Sequence, residues 1–287
     1  MSKITDIIAG SLKYVKKLSG QCILIKLGGS ILDDMQLVRK LCEDLSLVRA
    51  AGIKIVLVHG GSKAIDQTLR AHNISWAYQQ GQRITTIEMV NIIEMVLSGH
   101  VNKMLVRTLN AVGVAAVGLA GCDDKLLQAQ RFDDKLGEVG KIEKVNTTLL
   151  QRFMDTQDAH QPGIIPVIAP IAADAQGKPL NVNADWAAST IAIALKCDKL
   201  IYLTDEDGVY DQDKKLLSKL EVKELKHLVK KKIVEGGMLV KVKTILDALQ
   251  QGLNNIHIIS AKKEHALITE LFTDEGIGTI CRRNAES

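Results

Sequence analysis

The chain runs to 287 residues, 46% of them hydrophobic, and its 37 lysines and arginines against 33 aspartates and glutamates leave a net charge of +4. That is apolar mass enough for one large α/β domain or two lobes, which excludes a disordered chain, while scattered basic residues and only nine aromatics exclude a nucleic-acid surface. No apolar run approaches the roughly 18 residues of a membrane span, no cleavable leader pattern is seen, and the five cysteines lack a Cys-x-x-Cys pair. Neither nucleic acid nor a membrane is an expected partner, and the expected setting is a reducing cytoplasm.

Ile4, Ile7, Ile8, Leu12, Val15 and Leu18 recur at helical spacing with Lys13, Lys16 and Lys17 opposite, which predicts an amphipathic helix over residues 4–18. It precedes the first strand, so its apolar stripe needs a partner, either its own subunit or another. Strand 22–27, helix 37–51, strand 54–58 and helix 63–71 then alternate in the manner of a parallel sheet. Two helical patterns, 87–97 and 101–112, lead to a strand at 114–118, and 125–143 reads as irregular or hairpin structure. Beyond lie a buried strand at 164–169, a hairpin over 172–180 around Gly177, a small-residue helix at 187–195 and another buried strand at 199–203. A charged helix at 221–232, a helix at 238–251, a strand at 256–260 and a final helix at 264–272 complete the order. No linker or repeat is visible. A soft division near residue 180 separates two lobes, yet the alternation continues across it, which predicts one continuous sheet.

Candidate chemistry gathers at the ends of the predicted strands. Gly28-Gly29 and Gly60-Gly61 each close an apolar run and open a helical pattern, so backbone N–H groups and a helix's positive end can converge on an anion. Lys26 interrupts the first apolar run one residue before its glycines, either as a solvated lysine or as a cation aimed at that anion. Asp185, at the start of the helix after Asn181-Val182-Asn183, is placed either to cap it or to bind. The alternation of Asn181 and Asn183 turns both amides one way if the segment is extended. Lys241 follows Gly236-Gly237, and a lysine in a first helical turn meets an unfavourable dipole that a bound anion would relieve; simple solvent exposure is the alternative. Arg83 has a fork suited to a carboxylate or to a surface ion pair. His59 reads either as an acid–base group or as a satisfied histidine at a strand end. The common nucleotide fingerprints, G-x-x-x-x-G-K-[ST] and G-x-G-x-x-G, are absent from the sequence.

As a set, Ile25 to Gly29, Val58 to Gly61, Gly81 to Thr85, Gly99 to Lys103, Val117 to Leu119, Asn181 to Asp185, Leu203 to Asp205 with Gly208-Val209, and Gly236 to Lys241 resemble the amino acid kinase family nearly end to end. The resemblance implies a three-layer α/β sandwich around a mainly parallel central sheet, with an extra N-terminal helix. It further implies an oligomerisation helix (1–20), an amino-acid-substrate lobe (21–180) and a nucleotide-binding lobe (181–287). Within the family the chain looks like the branch that phosphorylates the side-chain carboxylate of N-acetyl-L-glutamate with ATP in arginine biosynthesis.

By that resemblance Lys26 and Lys241 neutralise the phosphoryl group in flight and Asp185 holds the two lysines. Gly60, Gly61, Arg83 and Asn181 take the amino acid. Gly28, Gly29, Thr204, Asp205, Gly208, Tyr210 and Gly237 border the nucleotide, whose phosphates, rather than the protein, hold Mg2+. The helix ending Leu12-Lys13-Tyr14-Val15-Lys16-Lys17 and the run from His265 to Thr279 are similar to those of arginine-inhibited hexameric members, which implies arginine as inhibitor and a homo-oligomer, a dimer or a trimer of dimers. Ser62, Thr86 and Cys122 depart from the family's usual pattern. Other readings are a related kinase for aspartate, glutamate, carrier-bound aminoadipate or UMP, or a non-catalytic arginine or nucleotide sensor.

Overall fold

The computed structural model describes residues 3–29, 31–79, 81–155, 163–274 and 276–283, with residues 3–9 described by backbone alone. Helix α1 (Lys3–Leu18) leads into β1 (Cys22–Leu27), α2 (Met35–Ala50), β2 (Lys54–His59) and α3 (Ser62–Ala71), the predicted alternation. A small hairpin of β3 (Tyr78–Gln79) and β4 (Gln82–Arg83) follows. Next come α4 (Ile87–Glu94), α5 (Asn102–Ala111) and β5 (Ala116–Ala120). The two helical patterns predicted here are one continuous helix, because residues 95–101 between α4 and α5 form a π-helical segment instead of a break. Ser98 and Gly99, weak helix formers, sit within it.

The stretch expected to be irregular or a hairpin is a hairpin of β6 (Leu127–Arg131) and β7 (Gly140–Val145), followed by α6 (Thr148–Met154), β8 (Ile165–Ala169), β9 (Ile171–Ala173) and β10 (Pro179–Asn181). Strands β10, β9, β6 and β7 make a four-stranded sheet of their own, an addition to the continuous central sheet that was expected and is found. Their alternation is diluted by charges, as in Lys141, Glu143 and Lys144 of β7, which is why it does not read as sheet.

Then follow α7 (Ala184–Ala194), β11 (Lys199–Thr204), β12 (Val209–Tyr210), β13 (Leu216–Leu217), β14 (Lys219–Glu221), α8 (Val222–Lys230), α9 (Gly236–Gln250), β15 (Asn255–Ser260), α10 (Ala266–Phe272) and β16 (Thr279–Arg282). The central sheet has eight strands in the order β14-β16-β15-β11-β1-β2-β8-β5. Six of them, β15 through β5, run parallel, and β16 reverses against β15. Helices cover both faces, giving the expected three-layer α/β architecture with β1 near the middle.

Burial of both faces explains why the central strands read as unbroken apolar runs. The side-chain period of two nevertheless divides β1 cleanly. Ile23, Ile25 and Leu27 join one core cluster with Leu41, Leu45 and Val48 of α2. Leu24 joins the other, with Ala187, Ala188 and Ile191 of α7 and Val242 and Ile245 of α9. Lys26, two residues beyond Leu24, therefore points to the α7 and α9 side. Helix α1 buries Leu18 and packs Tyr14 and Val15 on the first cluster beside α10, while Leu12 is exposed. The side chains of Ile4, Ile7 and Ile8, part of the predicted stripe, lie outside the described ones.

Candidate active site

At the carboxyl edge of the sheet three charged side chains from distant parts of the chain meet. Lys26 Nζ lies 2.8 Å from Asp185 Oδ1, and Lys241 Nζ lies 2.8 Å from Asp185 Oδ2. Lys26 is 9% exposed and Lys241 7%. Burial alone would raise the Asp185 pKa, but the two ammonium groups hold it well below the ordinary carboxylate range. Lys241 is pulled down by burial against the opposing pull of Asp185. One carboxylate between two ammonium groups leaves the three-residue cluster with one net positive charge.

Local structure sets each member. Asp185 occupies the first turn of α7, but capping falls to Asn183, whose Oδ1 accepts from Asp185 N at 2.8 Å and Trp186 N at 3.3 Å. The capping role considered for Asp185 is thus corrected. Lys241 is the sixth residue of α9, beyond the first turn, so its partner is the Asp185 carboxylate and not the dipole conflict expected from sequence. Its Nζ stands 4.7 Å from the ring centroid of Tyr202, a strand partner of Lys26 whose hydroxyl donates to the Asp185 carbonyl at 3.3 Å. Tyr202 is absent from the sequence-derived set; the register that pairs it with Lys26 is the signal that finds it.

The two glycine turns abut. A Cβ on Gly29 would stand 3.3 Å from Ser62 N and 3.5 Å from Gly61 N, and one on Gly60 would stand 3.5 Å from Gly29 N. Gly28 lies equally close to the neighbouring strand, with its N–H donated to Leu203 O at 2.9 Å. Glycine is therefore required for the close approach of β1's end to the amino end of α3, and the arrangement suits backbone donors around one anion. Gly61 also faces the π-helical segment, where a Cβ would meet Leu97 Cδ2 at 2.6 Å. His59 is fully buried with both ring nitrogens engaged, Nδ1 with Gly60 O at 2.8 Å and Nε2 with Asn102 Nδ2 at 3.2 Å. Burial pushes its pKa down to about 4. Of its two readings, the satisfied histidine is the one observed.

Arg83 is buried on β4. Its Nη2 lies 2.6 Å from Asp66 Oδ1 of α3 and donates to the Tyr78 hydroxyl at 2.5 Å, and its guanidinium carbon lies 4.9 Å from the Tyr78 ring and 5.6 Å from that of Trp76. Its other terminal nitrogen, Nη1, is buried with no hydrogen-bond partner among the described residues. An unpaired guanidinium N–H in such a place invites a carboxylate. Asp66, Trp76 and Tyr78 escape a sequence reading because they meet Arg83 only in three dimensions. Asn181 donates from Nδ2 to Thr85 Oγ1 at 3.1 Å, which ties the end of β10 to the segment after Arg83.

The remaining candidates lie on the loops after β11 and at the start of α9. Thr204 ends β11, with its hydroxyl 3.1 Å from Asp205 Oδ1. The Asp205 carboxylate slightly opposes the burial that lowers the Lys241 pKa, and it adds to Asp33 in raising that of Lys63. Tyr210 bonds Asp207 at 3.2 Å. Gly208 has φ +154° and packs on β16, where a Cβ would stand 2.4 Å from Thr279 Oγ1, so packing accounts for that glycine. Gly237, in the first turn of α9, has open space around its Cα.

A sequence model of the amino acid kinase family matches residues 21–260. Acetylglutamate kinase of Campylobacter hominis is 40% identical over 282 residues, covering 98% of this chain and 98% of its own. Acetylglutamate kinase of Caldanaerobacter subterraneus subsp. tengcongensis is 40% identical over 279 residues, with 96% of this chain and 91% of its own covered. Among solved structures, the Neisseria gonorrhoeae N-acetylglutamate synthase complexed with coenzyme A and N-acetyl-glutamate superposes with a TM-score of 0.88 at 24% identity, over 99% of this chain. This chain spans 64% of the synthase's length, and the likeness is one of fold.

Proposed function

The chain belongs to the amino acid kinase family, and from that premise we propose that it transfers the terminal phosphoryl group of ATP to the side-chain carboxylate of N-acetyl-L-glutamate, giving N-acetyl-L-glutamyl 5-phosphate and ADP, a step of arginine biosynthesis. The 40% identity to acetylglutamate kinases over nearly the whole chain supports the substrate. The single observation that carries the chemistry is the buried Lys26–Asp185–Lys241 cluster with its surplus positive charge.

The acceptor has a reference pKa of about 4.3 and is ionised at neutral pH, so no general base is needed. The obstacle is the approach of two anions. One acceptor oxygen forms a bond to phosphorus as the bond to the bridging oxygen of ADP breaks, in line. Lys26 and Lys241 offset the charge carried by the group in flight, Asp185 keeps both ammonium groups in place, and the glycine N–H groups receive the equatorial oxygens. Arg83 from the 21–180 lobe and Asn181 at the start of the 181–287 lobe orient the amino acid, and Gly28, Gly29, Thr204, Asp205, Gly208, Tyr210 and Gly237 line the nucleotide from the carboxyl edge, largely in the 181–287 lobe. Magnesium would be held by the phosphates of ATP, not by side chains of this chain, and would supply neutralisation of the donor's charge.

Arginine is proposed as feedback inhibitor and α1 as a contact between dimers in a trimer of dimers. The docking of α1 on α10, with the Tyr14 hydroxyl bonded to Asp274, supports a regulatory junction, and the exposed Leu12 supports a further contact. ADP formation from magnesium ATP with a panel of N-acetylglutamate, glutamate, aspartate, aminoadipate and UMP tests the assignment. Turnover with N-acetylglutamate alone is expected, and turnover with none, or with another acceptor only, overturns it. Arginine that alters neither activity nor thermal stability removes the regulatory part.

A further inference from the structure

His59 has no part in the transfer as described, yet it is fully buried at the last position of β2, immediately before Gly60. An imidazole in such a place is tolerated only when both nitrogens are bonded. Nδ1 faces the Gly60 carbonyl, which can only accept, so Nδ1 carries the proton and donates at 2.8 Å. Nε2 then accepts from Asn102 Nδ2 at 3.2 Å. The orientation of the Asn102 amide is itself determined, because Nδ2 also donates to Val167 O at 2.8 Å while Oδ1 accepts from Lys103 Nζ at 3.1 Å. A directed chain runs from Lys103 through Asn102 and His59 to one carbonyl.

That carbonyl belongs to the peptide between Gly60 and Gly61. In a trans peptide C=O and N–H point oppositely, so fixing the Gly60 oxygen fixes the Gly61 N–H on the other side of the plane. The Gly61 nitrogen lies 3.5 Å from where a Cβ of Gly29 would stand, and among the described residues the Gly61 N–H donates to no backbone acceptor. A peptide between two glycines has little intrinsic preference for either orientation. Without an external hold, such a donor would be present but unaimed.

We infer that His59, itself held by Asn102, is a positioning residue that locks the Gly60–Gly61 peptide so that the Gly61 N–H faces the transferring phosphoryl group. This rests on the kinase reading given above. His59→Asn places an amide N–H near the position of Nδ1 and keeps the bond to Gly60 O, while His59→Gln places its amide near Nε2 and keeps the contact with Asn102 only. Both remove the ring from the core, so both are expected to melt lower by similar amounts. Steady-state ADP formation separates them. His59→Asn is expected to keep kcat within about fivefold of wild type, and His59→Gln to lose roughly 100-fold in kcat, the scale of a misaimed donor, with the KM for ATP changed less than about threefold.

Equal kcat in the two variants, or kcat that tracks melting temperature, overturns the inference while leaving the kinase reading intact. A wild-type enzyme without turnover overturns the kinase reading instead. Should neither variant fold, nitrogen-15 NMR of histidine-labelled wild type decides. A resonance pair for His59 with the proton on Nδ1 from pH 6 to pH 9 supports the lock, and a proton on Nε2 overturns it.

Discussion

Replacing Lys26 by methionine and Asp185 by asparagine separates chemistry from folding, because the two substitutions move the charge of the buried cluster in opposite directions. The native cluster sums to +1, Lys26→Met brings it to zero, and Asp185→Asn raises it to +2. Lys26→Met leaves Asp185 and Lys241 as a neutral pair and puts an apolar stem of similar length where the lysine stem lay, so its folding cost is that of one charge-assisted bond, about 1–2 kcal/mol. Asp185→Asn removes both ion pairs, keeps one amide oxygen able to accept from a single lysine, and exposes the two ammonium groups to a mutual repulsion of about 3 kcal/mol, taking a separation of about 5 Å and an effective dielectric of about 20. A total near 3–5 kcal/mol is the usual result of stranding buried charge.

At roughly 2 °C per kcal/mol for a chain of this size, Asp185→Asn should melt roughly 8 °C lower and Lys26→Met roughly 3 °C lower. Turnover should rank otherwise: Lys26→Met removes the charge proposed to act on the transferring group and should lower kcat by about 100- to 1,000-fold. Thermal melts and coupled ADP assays on the same preparations give both rankings. Equal losses of stability, or a Lys26→Met enzyme within tenfold of wild-type turnover, would refute the reasoning. The sign of the pH effect adds a check. Burial lowers the Lys241 pKa, so between that value and its ordinary one the unfolded chain binds more protons and stability rises with pH. Loss of the opposing carboxylate in Asp185→Asn widens this window, and its deficit should narrow as pH is raised from 7 toward 10.

Gly29→Ala introduces a methyl group 3.3 Å from Ser62 N, and is expected to lower kcat/KM about 100-fold by closing the gap between the glycine turns; wild-type kinetics would show that the gap is not used. Arg83→Lys keeps the charge facing Asp66 but not the second arm of the fork, and the KM for N-acetylglutamate should rise about 10- to 100-fold, the worth of one charge-assisted bond. An unchanged KM would mean that Arg83 serves Asp66 alone. His59, with its pKa pushed down to about 4, stays neutral in the fold while the unfolded chain takes up a proton below about pH 6.5, so stability falls as pH drops through that window. Urea unfolding should register a loss of about 3 kcal/mol from this source between pH 7 and pH 4, absent in His59→Asn.

The alternating strands and helices were legible because each central strand is buried on both faces and each covering helix on one, patterns that survive in a single sequence. Lys26 stood out for a related reason: a charge in a run of Ile23, Leu24, Ile25 and Leu27 has to be accounted for. The hairpins at 125–143 and 172–180 were legible as local structure, but their joining into a second sheet was not, since β7 mixes Ile142 and Val145 with Lys141, Glu143 and Lys144. Nor were Asp66, Trp76, Tyr78 and Tyr202, whose importance lies in what faces them across the fold. Asp185 was located with capping and binding both open, because Asn183 and Asp185 are both competent caps and only the helix boundary decides between them.

The wide turn from Met95 to Val101 has a mechanical meaning. Each α-helical residue advances the chain by about 100° around the axis, and the π-turn takes in its extra residue locally, so the halves on either side keep the phase of one unbroken helix. Thr86 anchors the upstream end through its cap on Met89 N, and Asn102 begins the downstream half already committed to His59 and Val167. The bulge behaves as a spacer that lets two halves of one rod keep separate appointments. A further residue inserted between Val101 and Asn102, with no second bulge to absorb it, would swing Asn102 off the imidazole and loosen the Gly60–Gly61 turn without touching any residue in it.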